Sequence, residues 1–472
     1  MAERFDVIIV GARCAGSPLA TFLGRAGLRV CVVDRARFPS DTASTHGVQP
    51  SGVKILDRLG VLKPLLKVTP PIERGTIAFD DERVELNDFT KLVGAPMLSP
   101  RRVTLDAVLL EAAAAAGAAV RTQTAVTGLL EDRGRVAGVK TKSGELSAPL
   151  VVGADGVHSA VARLVGAAKY HPTPAGRLFT WAYFEGADAD DGHMWLGGIG
   201  DHGFLAFPTD SGLFMAAVVP SIGRRDEVLG DREAVHAAEL AYWPELEAAL
   251  AGAKRVGPVR LMSRDGFFRQ SAGPGWVLVG DAGHFKDPTP GQGISDALRQ
   301  AVALAPLVEK ALGGGDAADR ALHDWWCWRD RDAWEMYWFA HEMGASGPPP
   351  LLVQEIQRRI AADPRLTDGL LRVLNHELTP SAVFTPSLAL AATSKALLTS
   401  TGQRKILLRE ARTLAANNWR RRAPTRPSPA AGRERSVRRF RLPGGARRSH
   451  ASSRVALTPE PPPRADMRKG PG

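Results

Sequence analysis

The chain has 472 residues, 44% of them hydrophobic and 24% charged, which is the balance of a folded globular protein and excludes a disordered or fibrous one. Its three cysteines, Cys14, Cys31 and Cys327, are scattered and odd in number, arguing against a disulfide framework or a metal site and for a reducing, cytoplasmic setting. The net charge of +11 belongs to the end of the chain: from Arg420 onward 15 Lys and Arg face three acids, leaving residues 1–419 at −1, so no specific nucleic-acid partner is expected.

No apolar run is long enough to span a bilayer, so no transmembrane segment is expected. The chain enters a strand by Phe5, which leaves no room for a secretory leader. Residues 6–10 read as a buried strand and Ser17 to Ala26 as a helix with Leu19, Phe22, Leu23 and Ala26 on its apolar face. "VCVVD", residues 30–34, is a second buried strand, completing a βαβ opening of about 30 residues. In "VIIVGARCAGSPLA", Gly11 makes the turn and Gly16 lets the helix pack close to the strand. The helix N-terminus then offers unpaired N–H groups and a positive dipole end to a pyrophosphate. Asp34, ending the second strand, is placed to accept from a ribose, with Arg35 beside it. Arg13 occupies the position where a dinucleotide fingerprint has glycine. Its fixed charge and five donors suit a dianionic pyrophosphate; the bland alternative is a side chain turned to solvent.

Helices are expected over 51–66 and 103–116, and strands over 119–131, 135–142 and 146–152. "VVGADGVHSAVARLVGA", residues 151–167, places Asp155 and Gly156 in a turn between strand and short helix. From about 170 to 270 alternating, aromatic-bearing strands predict an antiparallel sheet. "VLVGDAGHFKDPTPGQGISDALRQA", residues 277–301, returns to a buried strand ending in Gly280-Asp281. Its Pro/Gly loop then opens a helix at Gly293. Gly291 and Gly293 can bring bare backbone N–H groups to an anion or a carbonyl oxygen. Helices follow at 293–312, 317–343, 350–375 and 385–416, with Pro306 expected to end or kink the first. The Pro-, Arg- and Ser-rich end is read as a solvated, disordered basic tail.

The order of these three segments resembles the FAD-dependent aromatic hydroxylases (class A flavoprotein monooxygenases), a family that also embraces flavin halogenases and geranylgeranyl reductase-like proteins. The resemblance covers roughly residues 4–400. "GARCAG" followed by "STH" is similar to a recurrent variant within it. It implies an α/β fold: a Rossmann-like FAD-binding domain with a parallel sheet, an antiparallel-sheet substrate domain and C-terminal helices. Residues 1–70, 101–168 and 275–314 would form the first, 71–100 and 169–274 the second, 315–419 the helical region and 420–472 the tail.

Carried over by position, the resemblance implies that Gly11, Arg13, Gly16, Asp34 and Arg35 hold the ADP part of FAD, with a backbone group of Val126 at the adenine. Arg102, or Arg101 in its place, would meet the phosphate or ribityl region. Asp155 would lie near the pyrophosphate, and Gly280, Asp281, Gly291 and Gly293 near the ribityl chain and ring. The segment 40–60 would run along the flavin ring, making His46 a candidate proton donor or substrate contact, with loop packing as the plain alternative. Pro290 would offer its backbone carbonyl over the ring, and His284 would pack. After Asp155 and Gly156, Arg163 stands one step later than in relatives, which bears on nicotinamide docking. No metal is implied.

The resemblance implies an NADH- or NADPH-dependent monooxygenase using O2 and hydroxylating an aromatic or polyketide-like small molecule through a flavin hydroperoxide. The alternatives are a non-oxygenating FAD reductase of an isoprenoid-like double bond and a flavin-binding protein without catalysis. A halogenase is disfavoured because no Trp-x-Trp-x-Ile-Pro segment occurs. Trp181, Tyr183, Trp195, Phe204 and Phe214 are candidates for one wall of a substrate pocket. The Trp-rich stretch 325–338 reads as core.

Overall fold

A strand without polar residues needs cover on both faces, and the chain supplies four of them. In the computed structural model, which describes residues 3–44, 46–80, 82–399 and 401–423, they build one sheet. Its order is Ala272–Gly273, Trp276–Leu278, Leu150–Gly153, Val7–Val10, Val30–Val33 and Ala119–Arg121. All neighbours run parallel except the first pair. Side-chain alternation then splits the strands between two cores. Ile9, Val32, Val152 and Val277 pack with the helices Gly16–Arg25, Arg102–Ala115 and Gly293–Leu312. Ile8, Val33, Val151 and Leu278 face Val136, Val139 and Leu146 of a four-stranded sheet that closes the other side.

A seven-stranded sheet follows, ordered Lys254–Met262, Phe179–Glu185, Leu213–Val218, His202–Pro208, His193–Ile199, Arg74–Phe79 and Glu82–Leu86. It is antiparallel except where His193–Ile199 lies parallel to Arg74–Phe79. Both of its faces are covered. Trp181, Met194, Phe207 and Met215 point toward Ile356, Ile360 and Leu370 of the C-terminal helices. Phe184, Phe204, Phe214 and Val218 point toward Leu240, Trp243 and Leu246.

Those last three residues mark a departure from the all-strand expectation for 170–270. Helices occupy Arg225–Gly230, Arg232–Leu240 and Pro244–Leu250. Val228, Val235 and Leu240 carry their buried face, and the side chain of Asp231 caps the second of them at Ala234 N–H. Pro306 does not end its helix, which runs unbroken from Gly293 to Leu312. The proline is exposed, and the N–H it lacks costs the helix one hydrogen bond, to the Val302 carbonyl, without interrupting it. The long helices expected over 350–375 and 385–416 are each divided. Asp363-Pro364 separates Leu351–Ala362 from Pro364–Leu374, and a short turn separates Pro386–Thr399 from Arg404–Arg422. Residues 420–422, expected in the tail, are thus the end of a helix, where Arg421 is buried against Glu342. The remainder of the tail, from 424, lies outside the described residues.

Candidate active site

The register of the first sheet sets Val10 beside Gly153 and Gly153 beside Leu278, so three strands from distant parts of the chain end level. Their turns touch. Gly11 has φ +108°, and a Cβ on it would stand 2.4 Å from the Ala154 carbonyl oxygen. A Cβ on Gly16 would meet the Gly11 carbonyl at 1.8 Å, and one on Gly280 would meet Ala15 at 2.9 Å. Only bare backbone fits where these segments cross. Asp34 braces the first turn from the next strand, accepting from Ala12 N–H and Ala36 N–H, both at 2.8 Å. Its own carbonyl accepts from Thr124 N–H, which ties in the segment that leads to Val126. Arg35 is exposed beside it. Asp155 holds the second turn, taking Ser159 Oγ–H and the N–H groups of Ala160 and Val161, while burial raises its carboxyl above the usual range. Arg163 stands exposed on the short helix that follows.

Arg13 does not turn to solvent. Its guanidinium donates to Asp106 and to the carbonyl and Oγ of Ser40, and stacks on Phe38. That leaves its Nε–H and one Nη2–H without a protein acceptor among the described residues. Arg102 donates to the same carboxylate from one turn earlier in its helix, at 3.1 and 2.9 Å, and the Cys14 thiol does so at 3.3 Å. Burial opposes the charge on Arg102, but Asp106 outweighs it and raises the pKa. Asp106 itself is fully buried and escaped the sequence reading. Two guanidiniums thus share one carboxylate beside the glycine turn. Arg101 is engaged elsewhere: it pairs with buried Asp210 at 3.0 Å, at the turn entering Leu213–Val218.

Asp281 is open to solvent, yet enough protein surrounds its carboxyl that burial raises the pKa to about 6, with Arg102 pulling the other way. Both facts describe a recess. A carboxyl raised from 3.8 favours the folded state below that value, and the benefit is lost as pH rises through about 6. Asp281→Asn, which keeps the neutral form, is therefore expected to raise the melting temperature of flavin-free protein at pH 7.5, with the gain shrinking as pH falls below about 6 and vanishing below 3.8. A pH-independent difference between variant and parent would refute the assignment.

Beyond the turns, the segment around His46 meets the loop before Gly293–Leu312. Gln49 Nε2 donates to the carbonyls of Pro290 and Gly291 at 3.4 and 3.3 Å, and Gln49 N–H to Ser295 Oγ at 2.9 Å. Gln49, too, went unread in the sequence. Gly291 has φ +64°, and a Cβ on Gly293 would enter open space. His46 is fully buried, has φ +59°, and shares a hydrogen bond with Tyr183 through Nε2 while its Nδ1 lacks a partner among the described residues. Burial first, then Arg102, lowers its pKa to about 3. At neutral pH it is an uncharged imidazole, a hydrogen-bonding group rather than a cationic acid. His284 packs, as expected, with Nδ1 at 3.4 Å from Gln300 Nε2.

Pro290 and Gly291 also form one edge of a cavity of about 960 Å3. Its lining includes the apolar Met97, Met194, Leu196, Phe207, Leu371 and Leu374, along with Arg177, His341, Glu342 and Arg409. The expected aromatic wall is only partly correct. Phe204 borders the cavity, but its ring packs on Trp243 on the other face of the sheet, with Trp195 and Phe214, and Trp181 and Tyr183 lie on the cavity-side face without lining it. Trp325 and Trp326 belong to the main core, as their helical spacing suggested, and donate to the Leu278 carbonyl and Tyr170 Oη.

A family model described as FAD binding domain matches residues 4–337. Among curated proteins, 6-methylpretetramide 4-monooxygenase from Streptomyces rimosus is 30% identical over 342 residues, 67% of this chain and 78% of that one. Menaquinone reductase from Mycolicibacterium smegmatis is 29% identical over 332 residues, 65% of this chain and 77% of that one. Among solved structures, a flavin-dependent brominase superposes with a TM-score of 0.68 at 18% identity, over 84% of this chain and all of that one, a likeness of fold.

Proposed function

The chain belongs to the FAD binding domain family and is an FAD-dependent oxidoreductase, and from that premise we propose that it is an NADH- or NADPH-dependent monooxygenase hydroxylating an aromatic or polyketide-like small molecule. Bound FAD would supply the redox chemistry between the nicotinamide donor and O2. The residues present suit that cofactor. Gly11 and Gly16 keep the first turn free of side chains, and Arg13 and Arg102 supply positive charge and spare donors for a pyrophosphate. Asp34 has lone pairs left for ribose hydroxyls, with Arg35 next in the chain and Val126 two residues beyond the Thr124 N–H that meets the Asp34 carbonyl, and the second turn is held by Asp155. Asp281, recessed beyond Gly280, would take ribityl hydroxyls. The backbone N–H groups near Gly291 and Gly293 would face a ring carbonyl. His46, neutral and tied to Tyr183, would offer a hydrogen bond from Nδ1 to the ring or the substrate.

The observation that carries the substrate class is the cavity: apolar side chains and the Pro290–Gly291 backbone border one space of about 960 Å3, large enough for a polycyclic molecule. Such a lining also keeps water from the reacting centre. The test is to purify the protein, record its flavin spectrum, and follow NAD(P)H and O2 consumption with and without phenols and polyketides. Substrate-dependent O2 uptake coupled to hydroxylated product is expected. Leu196→Trp, which fills the cavity from the sheet, should raise KM about tenfold or more while leaving flavin content unchanged. The menaquinone reductase relative motivates the one competing reading, a reductase of an isoprenoid-like double bond. Anaerobic alkene reduction by this protein would replace the monooxygenase with it.

A further inference from the structure

The last described helix, Arg404–Arg422, has two unlike faces. Ile406, Arg409, Thr413, Leu414 and Asn417 recur at helical spacing and line the cavity. The opposite face carries Lys405, Leu408, Arg412, Trp419 and Arg422, all exposed. Leu408 is 51% exposed and Trp419 75%, in a molecule whose large apolar side chains are otherwise mostly covered. The neighbouring helix Pro386–Thr399 adds Leu390 and Leu398, the latter 81% exposed. The outward face of Arg404–Arg422 carries no acid. The helix's one carboxylate, Glu410, is spent on Leu351 N–H and Leu352 N–H. Lys405 and Arg412 have no carboxylate partner among the described residues.

We propose that this face docks the protein on an anionic lipid surface. Cations alternate there with a tryptophan and a leucine along one exposed helix face, and no helix among the described residues is long and apolar enough to cross a membrane. That combination binds an interface through buried apolar side chains together with attraction to acidic headgroups. A polyanion would use the charges and leave Leu408 and Trp419 in water, so it does not account for them. Docking would hold the cavity wall at the lipid, where an apolar substrate concentrates. That consequence rests on the monooxygenase reading, whereas docking itself does not.

The test uses the full chain, loaded with FAD, in flotation with phosphatidylcholine vesicles with and without a phosphatidylglycerol fraction. Binding is expected to the anionic vesicles, to weaken about fivefold with each of Lys405→Gln and Arg412→Gln, and to fall about tenfold or more in the Leu408→Ser/Trp419→Ser double variant. All four side chains are exposed, so the variants should keep their flavin, and turnover of a soluble substrate reports catalysis separately. Failure to bind anionic vesicles overturns the proposal. So does binding that is weakened by salt but indifferent to the loss of Leu408 and Trp419, which would assign the charge to a polyanion or to the basic residues beyond 423.

Discussion

Asp106→Ala is expected to destabilise the flavin-free protein by about 3–5 kcal/mol, read as a lowered midpoint in urea. The carboxylate is fully buried and is the common acceptor for Arg13, Arg102 and the Cys14 thiol. Removing it leaves two guanidiniums, both mostly shielded from water, without the carboxylate they share. Neither can neutralise by losing a proton, since the guanidinium pKa lies far above any working pH. The same change should respond to FAD in a particular way. If both cations face the pyrophosphate, saturating cofactor restores part of the lost stability by binding only the folded state. Arg102→Met leaves Arg13 still paired with Asp106, so its cost should be smaller and its rescue by FAD weaker. An Asp106→Ala midpoint that stays put, or one that FAD does not move, would dissociate this cluster from the phosphate site.

That such a residue escaped the sequence reading has a physical cause. Asp106 lies in a helix rich in alanine and leucine, and its partner Arg13 is 93 residues away. The available signal was a carboxylate inside the apolar stripe of Leu105, Leu109, Leu110 and Ala113, one helical turn after Arg102. Gln49 was harder still, because its contacts with the Pro290–Gly291 loop span 241 and 242 residues of chain. By contrast, the parallel sheet was legible from continuous apolar strands ending at glycine, since burial on two faces removes the alternation that a half-exposed strand would show. The seven-stranded sheet illustrates the limit of alternation. Trp195 and Met194 are plainly on opposite faces, but both faces are covered, so parity alone does not say which one meets the cavity. The helices between 225 and 250 were hidden by their shortness and by Tyr242 and Trp243, whose aromatic character resembles that of the strands on either side.

The second large effect isolates the crossing of the first two turns. Gly11→Ala should cost about 4 kcal/mol or more and abolish flavin retention, measured by soluble yield, denaturation and the flavin absorbance ratio. Two penalties combine there. The backbone sits at φ +108°, which an L side chain rarely adopts, and the new Cβ would lie 2.4 Å from the Ala154 oxygen and 2.9 Å from the Asp155 Cα. Neither neighbour is the tip of a flexible side chain, so relief requires the strands Val7–Val10 and Leu150–Gly153 to part at the edge where their turns meet. Gly27 provides the matched control, because it too has positive φ, +84°, but a Cβ on it would meet nothing within 4 Å. Gly27→Ala should therefore show the conformational penalty alone, about 1–2 kcal/mol, and keep its flavin. Equal costs at the two positions would mean that the close approach of the first and second turns contributes nothing to the site. A large gap, with cofactor lost only at Gly11, ties the strained turn to the dinucleotide through backbone contact alone.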